Sequence, residues 1–252
     1  PPNFRHHRVW ENEITVLKEN FNATGNGWAT YNYGSGGQLA NADWSLRPYP
    51  YSELGFDFIS NDNSQFYISS SVAQGNEVTT FTILESPEFS TVGLASASLS
   101  FFHHFKHQPG IIGNANDSVR VQISTNGSTW SNIYFNNSSS VGTPESFVEQ
   151  IISLSAHLNQ PSVKLRFVYN GTPFNLPGWT GFNIWWAIDN VTVSGSISPA
   201  TYSWSSAPVG FTSTQQNPSA VSPTETTIYS VVAQNEFCTS TDEVTVVVNA
   251  TS

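Results

Sequence analysis

The feature that most constrains this chain is a two-residue alternation of apolar and polar side chains that recurs along its length. In SVRVQIS, Val119, Val121 and Ile123 alternate with Arg120 and Gln122; in VKLRFVY, Val163, Leu165, Phe167 and Tyr169 alternate with Lys164 and Arg166. Successive side chains of a strand point to opposite faces, so both segments read as half-buried β-strands. Noisier runs of the same kind are TVLKENF, FYISSS, TTFTIL, SLSFFHHF, TWSNIYF, FVEQIISL and WWAIDNVTV. No segment carries a sustained helical period, and the best helical candidate is a single turn around Leu154 to Leu158. The expected fold class is all-β.

Roughly ten strands over about 180 residues suit a two-sheet jelly roll better than a seven-stranded immunoglobulin sandwich of about 100 residues. Gly, Asn, Pro and Ser turns separate the strands, and Asn126-Gly127 is a strong hairpin signal. After Gly195 the texture changes to a small-residue and proline linker, SGSISPATYSW, followed by a proline-rich turn region and the strands TTIYSVVA and DEVTVVV. The expected organisation is a lead over residues 1–12, a jelly-roll domain over 13–195 and a small, abbreviated immunoglobulin-like or PKD-like β-sandwich over 196–252.

Charge narrows the partners. The 252 residues hold 8 Lys and Arg against 18 Asp and Glu, a net charge of -10. That balance opposes the counterion release that drives nucleic-acid binding and repels an anionic membrane surface. Apolar runs such as Val244 to Val248 fall far short of the roughly 20 residues that span a bilayer, so no membrane insertion is expected. Hydrophobic residues make up 38% of the chain and aromatic residues 13%, enough for a packed core. A single cysteine, Cys238, excludes a disulfide scaffold and is expected to be a partly buried structural thiol. Pro1 in place of Met suggests a processed or excised piece of a longer chain.

Candidate chemistry centres on carboxylates. Alternation in WWAIDNVTVSG puts Asp189 on the face of Val191 and Val193, where an ionised carboxylate is costly unless a cation compensates it. Glu19 shares parity with Leu17 and Phe21 and leans inward from the first strand. In a jelly roll whose first and last strands are neighbours the two could converge. The loop SNDNSQ offers further oxygens from Asn61, Asp62, Asn63 and Gln65. Carboxylate, amide and carbonyl oxygens at a strand end describe a hard-cation site, most naturally for Ca²⁺. The alternative is that Asp189 and Glu19 only cap turns at the sheet rim.

Of the histidines, His103 and His107 share a strand face and His104 lies opposite; without zinc-ligand spacing they read as strand residues. No Gly-x-Ser-x-Gly elbow occurs, GSGGQ at Gly34 to Gln38 reads as a flexible loop, and no pair of carboxylates is marked for glycosidase chemistry. No enzyme activity is expected. Aromatic residues flanked by Gly, Asn and Pro are candidates for a ligand platform, with Tyr31, Tyr33, Trp44 and Trp179 foremost. They could instead cover the ends of the core. Trp28, Trp130, Trp185 and Trp204 sit in strand-like settings and are expected in the core.

The ordered run ENFN…GW, SNDNSQFYISSSVAQG, ILESPEFS, ASLSFFHHF, SVRVQISTNGSTW, VKLRFVYNG and WWAIDNVTVSG resembles the MAM-like, carbohydrate-module-like jelly roll of secreted surface proteins of Bacteroidetes. The tail from Tyr202 is similar to the PKD-like or immunoglobulin-like repeats that follow it. The resemblance implies a non-catalytic, extracellular adhesion module at the bacterial cell surface, binding a glycan or a protein surface. It also implies export by the type IX secretion machinery through a C-terminal domain beyond Ser252. An alternative within the same resemblance is a carbohydrate-binding module of a secreted polysaccharide-degrading enzyme, or an ancillary domain of a secreted peptidase. It further implies calcium in the jelly roll, with Asp189 as the best-matched ligand, Glu19 at the acidic position before Phe21, and Asn22 standing where related modules often carry Glu. A Cys-Gly opening strand usual in the second domain is absent, which leaves Cys238 unpaired.

Overall fold

A computed structural model describes residues 13–23, 26–75, 78–107, 117–171, 184–197, 199–219, 221–235 and 238–249. The chain divides into two compact units, Glu13–Gly195 and one that contains Ser196–Ser252.

The strands of the first unit are β1 (Glu13–Glu19), β2 (Ala29–Asn32), β3 (Ser45–Arg47), β4 (Tyr51–Glu53), β5 (Phe56–Phe58), β6 (Phe66–Ser70), β7 (Thr80–Glu85), β8 (Leu94–Lys106), β9 (Ser118–Ser124), β10 (Ser131–Asn136), β11 (Val148–Ser153), β12 (Lys164–Gly171) and β13 (Trp185–Ile197). One sheet runs β11-β8-β13-β6-β3, with β1 also on β13, and the other runs β10-β9-β12-β7-β2. From β6 to β13 the chain passes repeatedly from one sheet to the other, which is the jelly-roll pattern of a β-sandwich. The helical turn expected near Leu154 is a 3₁₀ turn, Ser155–His157. Asn126-Gly127 closes the β9–β10 hairpin, with Gly127 at φ 70 and Asn126 Oδ1 accepting from the backbone of Ser128 and Thr129.

Alternation decides what is inside. Val119, Val121, Ile123, Leu165 and Phe167 are buried between the sheets, and Phe167 meets Phe101 of the opposite sheet at 5.1 Å and Trp186 at 5.7 Å. The six-stranded sheet is covered on its other face too. There the hairpin β4–β5 and Phe147 enclose Phe58, Phe66, Ile68, Trp185 and Ala187. This second cluster explains why Trp185 and Trp186, adjacent in sequence, are both fully buried. On the outer face of the five-stranded sheet Ile83 and Val168 are buried at the centre, while Tyr31, Tyr33 and Phe135 around them are exposed; we call this the open face.

The second unit is a four-stranded antiparallel sheet in the order β15-β14-β16-β17, with β14 Thr201–Ala207, β15 Thr212–Ser213, β16 Thr227–Gln234 and β17 Thr239–Val246. Tyr229 is its best-buried ring and packs edge-on against Phe211 at 5.5 Å. Cys238 is free and exposed rather than partly buried, because it lies at the turn entering β17, where Asn235 Oδ1 accepts its backbone N–H.

Candidate functional site

Two places in the first unit combine chemistry-bearing side chains. One is a carboxylate cluster at the end of β13; the other is the open face of the five-stranded sheet.

The cluster begins with a break in alternation. Asn190 adopts φ 49, a left-handed conformation that Asn tolerates better than most residues. Asp189, one residue before the break, shares parity with Trp185 and Ala187 of the cluster beneath the β4–β5 hairpin, and it faces the loop leading from β5 to β6. Asp189 is fully buried. Its Oδ1 accepts from Asn190 N at 2.7 Å, and Asn190 Nδ2 donates to Asp62 Oδ2 at 2.9 Å and to Asn61 Oδ1 at 3.2 Å. Burial, and then the charge of Asp62, push the Asp189 carboxyl up to about 7. Asp62 goes the other way: burial pushes it up, but hydrogen bonds from Ser64, Asn190 and Ser60 outweigh this and hold it below the usual carboxylate range.

The opening segment reaches the same loop. Asn22 Oδ1 accepts from Gln65 N at 3.2 Å, and Ser64 Oγ donates to Asn20 O at 3.5 Å. Glu19 is engaged locally, its Oε1 accepting from Phe21 N at 2.6 Å. The groups acting on Asp189 are Asp62, Ser60 and Asn190, and Glu19 is not one of them. The structure thus brings Asp62, Asp189 and, through Gln65, Asn22 to one loop, and leaves Glu19 with its own turn.

A divalent cation fits these residues on chemical grounds. The buried Asp189 carboxyl faces the exposed Asp62 carboxyl, and the groups that offset them are neutral amide, hydroxyl and backbone donors. Among the described residues no group of three or more His, Cys, Asp or Glu side chains converges, so remaining ligands would be amide, hydroxyl or carbonyl oxygens. That donor set suits a hard cation such as Ca²⁺ rather than Zn²⁺.

The open face is built by register. Asn132, Gln122, Arg166, Glu85 and Ala29 align across β10, β9, β12, β7 and β2. Two residues along, Phe135, Arg120, Val168, Ile83 and Tyr31 form the next row, and Tyr33 lies beyond, beside Phe81. The first row is tied side chain to side chain: Arg166 Nε donates to Gln122 Oε1 at 2.7 Å, and Gln122 Nε2 donates to Asn132 Oδ1 at 2.7 Å. Lys164 Nζ meets Glu85 Oε1 at 2.9 Å. The Arg166 guanidinium lies over the Trp130 ring, 4.1 Å from its centroid, and Arg120 lies over Phe135 at 5.6 Å. Tyr31 and Tyr33 stand nearly parallel, 13° between planes and 6.5 Å between centroids, and are 42% and 64% exposed.

Of the predicted aromatic residues, Tyr31 and Tyr33 are therefore exposed together on this face. Trp44 is not: it is 3% exposed and packs edge-on against Trp186 at 5.5 Å, because the short edge strand β3 carries it into the core. Trp179 lies outside the described residues. Trp130, expected in the core, is on the open face, since a bulge between Asn132 and Tyr134 reverses the parity of β10. The signal that could have found it is the pairing of Trp130 with the outward-facing Arg166. The loop Gly34 to Gln38 is pinned rather than flexible. Buried Gln74 donates from Nε2 to Ser35 O and Gly36 O at 3.0 and 2.8 Å, and accepts from Thr80 Oγ1 at 2.7 Å. That anchor holds the chain immediately after Tyr33.

Comparison with models of known protein families finds no match, and no curated protein matches either. Solved structures do. The K1 cleaved adhesin domain of Lys-gingipain from Porphyromonas gingivalis aligns at 14% identity and TM-score 0.48, over 71% of this chain and 98% of that one. The K3 cleaved adhesin domain of the same protein aligns at 16% identity and TM-score 0.43, over 71% and 98%. A xylan-binding domain from Paenibacillus barcinonensis aligns at 9% identity and TM-score 0.39, over 74% and 97%.

Proposed function

We propose that residues 13–195 are a non-catalytic binding module of an exported bacterial surface protein, and that it takes a glycan chain along the open face of the five-stranded sheet. The observation that carries this reading is the pair of parallel, exposed tyrosines, Tyr31 and Tyr33, on the same sheet face as a hydrogen-bonded polar row of Arg166, Gln122 and Asn132 that lies one row away from Tyr31. Flat rings meet the apolar faces of sugars, and planar polar groups fixed by their neighbours meet hydroxyls at low entropic cost. A face held by a rigid sheet is preorganised in a way a mobile loop is not. The strongly perturbed His103 and His104 are buried in the core, away from this face, which supports binding without turnover.

A calcium ion between Asp62 and Asp189 is part of the proposal. It would tie the β5–β6 loop to β13 and stabilise the sandwich without touching the glycan. Export through the type IX machinery and an extracellular location are proposed on the sequence resemblance.

The test is a glycan array probed with the full chain and with a Tyr31→Ala/Tyr33→Ala variant. Retention of a defined glycan class by the parent chain, lost in the variant at unchanged melting temperature, is the expected result. No retention from a broad array, or retention indifferent to both tyrosines, would overturn the reading.

A further inference from the structure

The glycan face concentrates positive charge in a chain that has little of it. Three of the 8 Lys and Arg residues, Arg120, Lys164 and Arg166, project from it, although the net charge is -10. Lys164 is neutralised by Glu85. The two arginines are not. Arg166 donates from Nε to Gln122, which leaves its two Nη groups without a hydrogen-bond partner among the described residues. Arg120 donates from Nη2 to Ser118 Oγ at 3.3 Å. No carboxylate accepts a hydrogen bond from either among the described residues, and Glu85 acts on Arg166 only at longer range.

Glu85, directly opposite Arg166 on β7, offsets part of the Arg166 charge, and Arg120 adds a smaller repulsion. Arg166 pairs with Gln122 and Arg120 with Val168, so the two are diagonal neighbours on adjacent strands and repel each other. Each guanidinium carbon sits over an aromatic ring, Arg166 4.1 Å from the Trp130 centroid and Arg120 5.6 Å from that of Phe135. The ring contact restrains each side chain, and a planar fork matches a planar carboxylate with two parallel hydrogen bonds, for which Arg166 keeps its Nη groups while Arg120 Nε is itself buried.

We infer that the open face selects an acidic polysaccharide, a glycan whose sugar units carry carboxylates, with Arg120 and Arg166 reading the carboxylates and Tyr31 and Tyr33 supporting sugar rings. This inference rests on the glycan-face reading and goes beyond it by naming the ligand class and the residues that set it.

The experiment is a binding titration of the full chain with oligogalacturonate, its fully methyl-esterified form, neutral xylo- and manno-oligosaccharides, and poly-glutamate. The expected result is tightest binding to oligogalacturonate, weakened at least tenfold by methyl esterification, by Arg166→Gln and by Arg120→Gln, and weakened further as salt is raised. Both variants are checked for an unchanged melting temperature, and Arg166→Lys, which keeps the charge but loses the fork, should restore only part of the affinity. Equal binding of acid and ester, or neutral oligosaccharides bound through Tyr31 and Tyr33 with no effect of either arginine, overturns the acidic class and leaves the glycan face standing. Binding of poly-glutamate as tight as oligogalacturonate overturns the inference in favour of an acidic protein partner. No binding to any saccharide overturns both readings.

Discussion

Trp186 donates its indole N–H to Nδ1 of His103 over 3.1 Å, a bond that only an unprotonated Nδ1 can accept. On the other face of the same sheet, His104 Nδ1 lies 2.9 Å from the carbonyl of Val141, which requires the opposite tautomer. Neighbouring histidines on one strand are thus both held neutral, one as acceptor and one as donor. Burial is the first cause, and it pushes His103 down to about 3 and His104 to about 4.

This gives a pH prediction with a definite sign. In the unfolded chain both titrate near 6.5, so below that pH the unfolded state binds protons that the folded state refuses. Their contribution is complete above pH 6.5 and is lost as pH falls toward 4. Each histidine costs about 1.4 kcal/mol per pH unit in that window, so the pair removes about 4 kcal/mol between pH 7 and pH 5. Urea unfolding at the two pH values measures it. His104→Phe, which suits a site lined by Phe58, Phe147 and Trp185, should roughly halve the slope. An unchanged slope contradicts the assignment.

The Asp62–Asp189 pair predicts an unusual mutational signature. Asp189→Asn retains an oxygen for the Asn190 N–H and removes a buried charge that Asp62 repels. Without metal, this variant should melt higher than the parent chain. With calcium at about 100 times its dissociation constant, the parent should gain about 2.7 kcal/mol, or roughly 5–10 °C, and the variant almost nothing. Thermal melts in chelator and in calcium check both arms. A parent chain indifferent to calcium, after verified metal removal, contradicts the cation site.

Trp44 and Tyr33 should separate stability from binding. Trp44 is enclosed against Trp186, so Trp44→Ala should cost about 3–5 kcal/mol through the cavity it leaves. Tyr33→Ala, on an exposed ring, should stay within about 1 kcal/mol while weakening glycan binding. Denaturant midpoints and glycan titrations on both variants make the comparison.

The framework was legible because its signal is local. The alternation of Val119, Val121 and Ile123 with Arg120 and Gln122 is the sandwich interior and the open face read from one strand. The site was less so, for two reasons. The bulge between Asn132 and Tyr134 reverses parity without a sequence mark and puts Trp130 outside. Trp44 is buried by tertiary packing of a three-residue edge strand whose neighbours, Asp43 and Ser45, look like a loop. Conversely, nothing in SVRVQIS or VKLRFVY alone shows that Arg120 and Arg166 become neighbours.

The most direct test of the open face is amide chemical-shift mapping on the isotope-labelled full chain, titrated with oligogalacturonate and, in parallel, with xylo- and manno-oligosaccharides. Binding on this face predicts shifts concentrated at Tyr31, Tyr33, Arg120, Gln122, Trp130 and Arg166, with the loop around Asp62 unchanged. Shifts confined to other surfaces, or none with any of these saccharides, would contradict it.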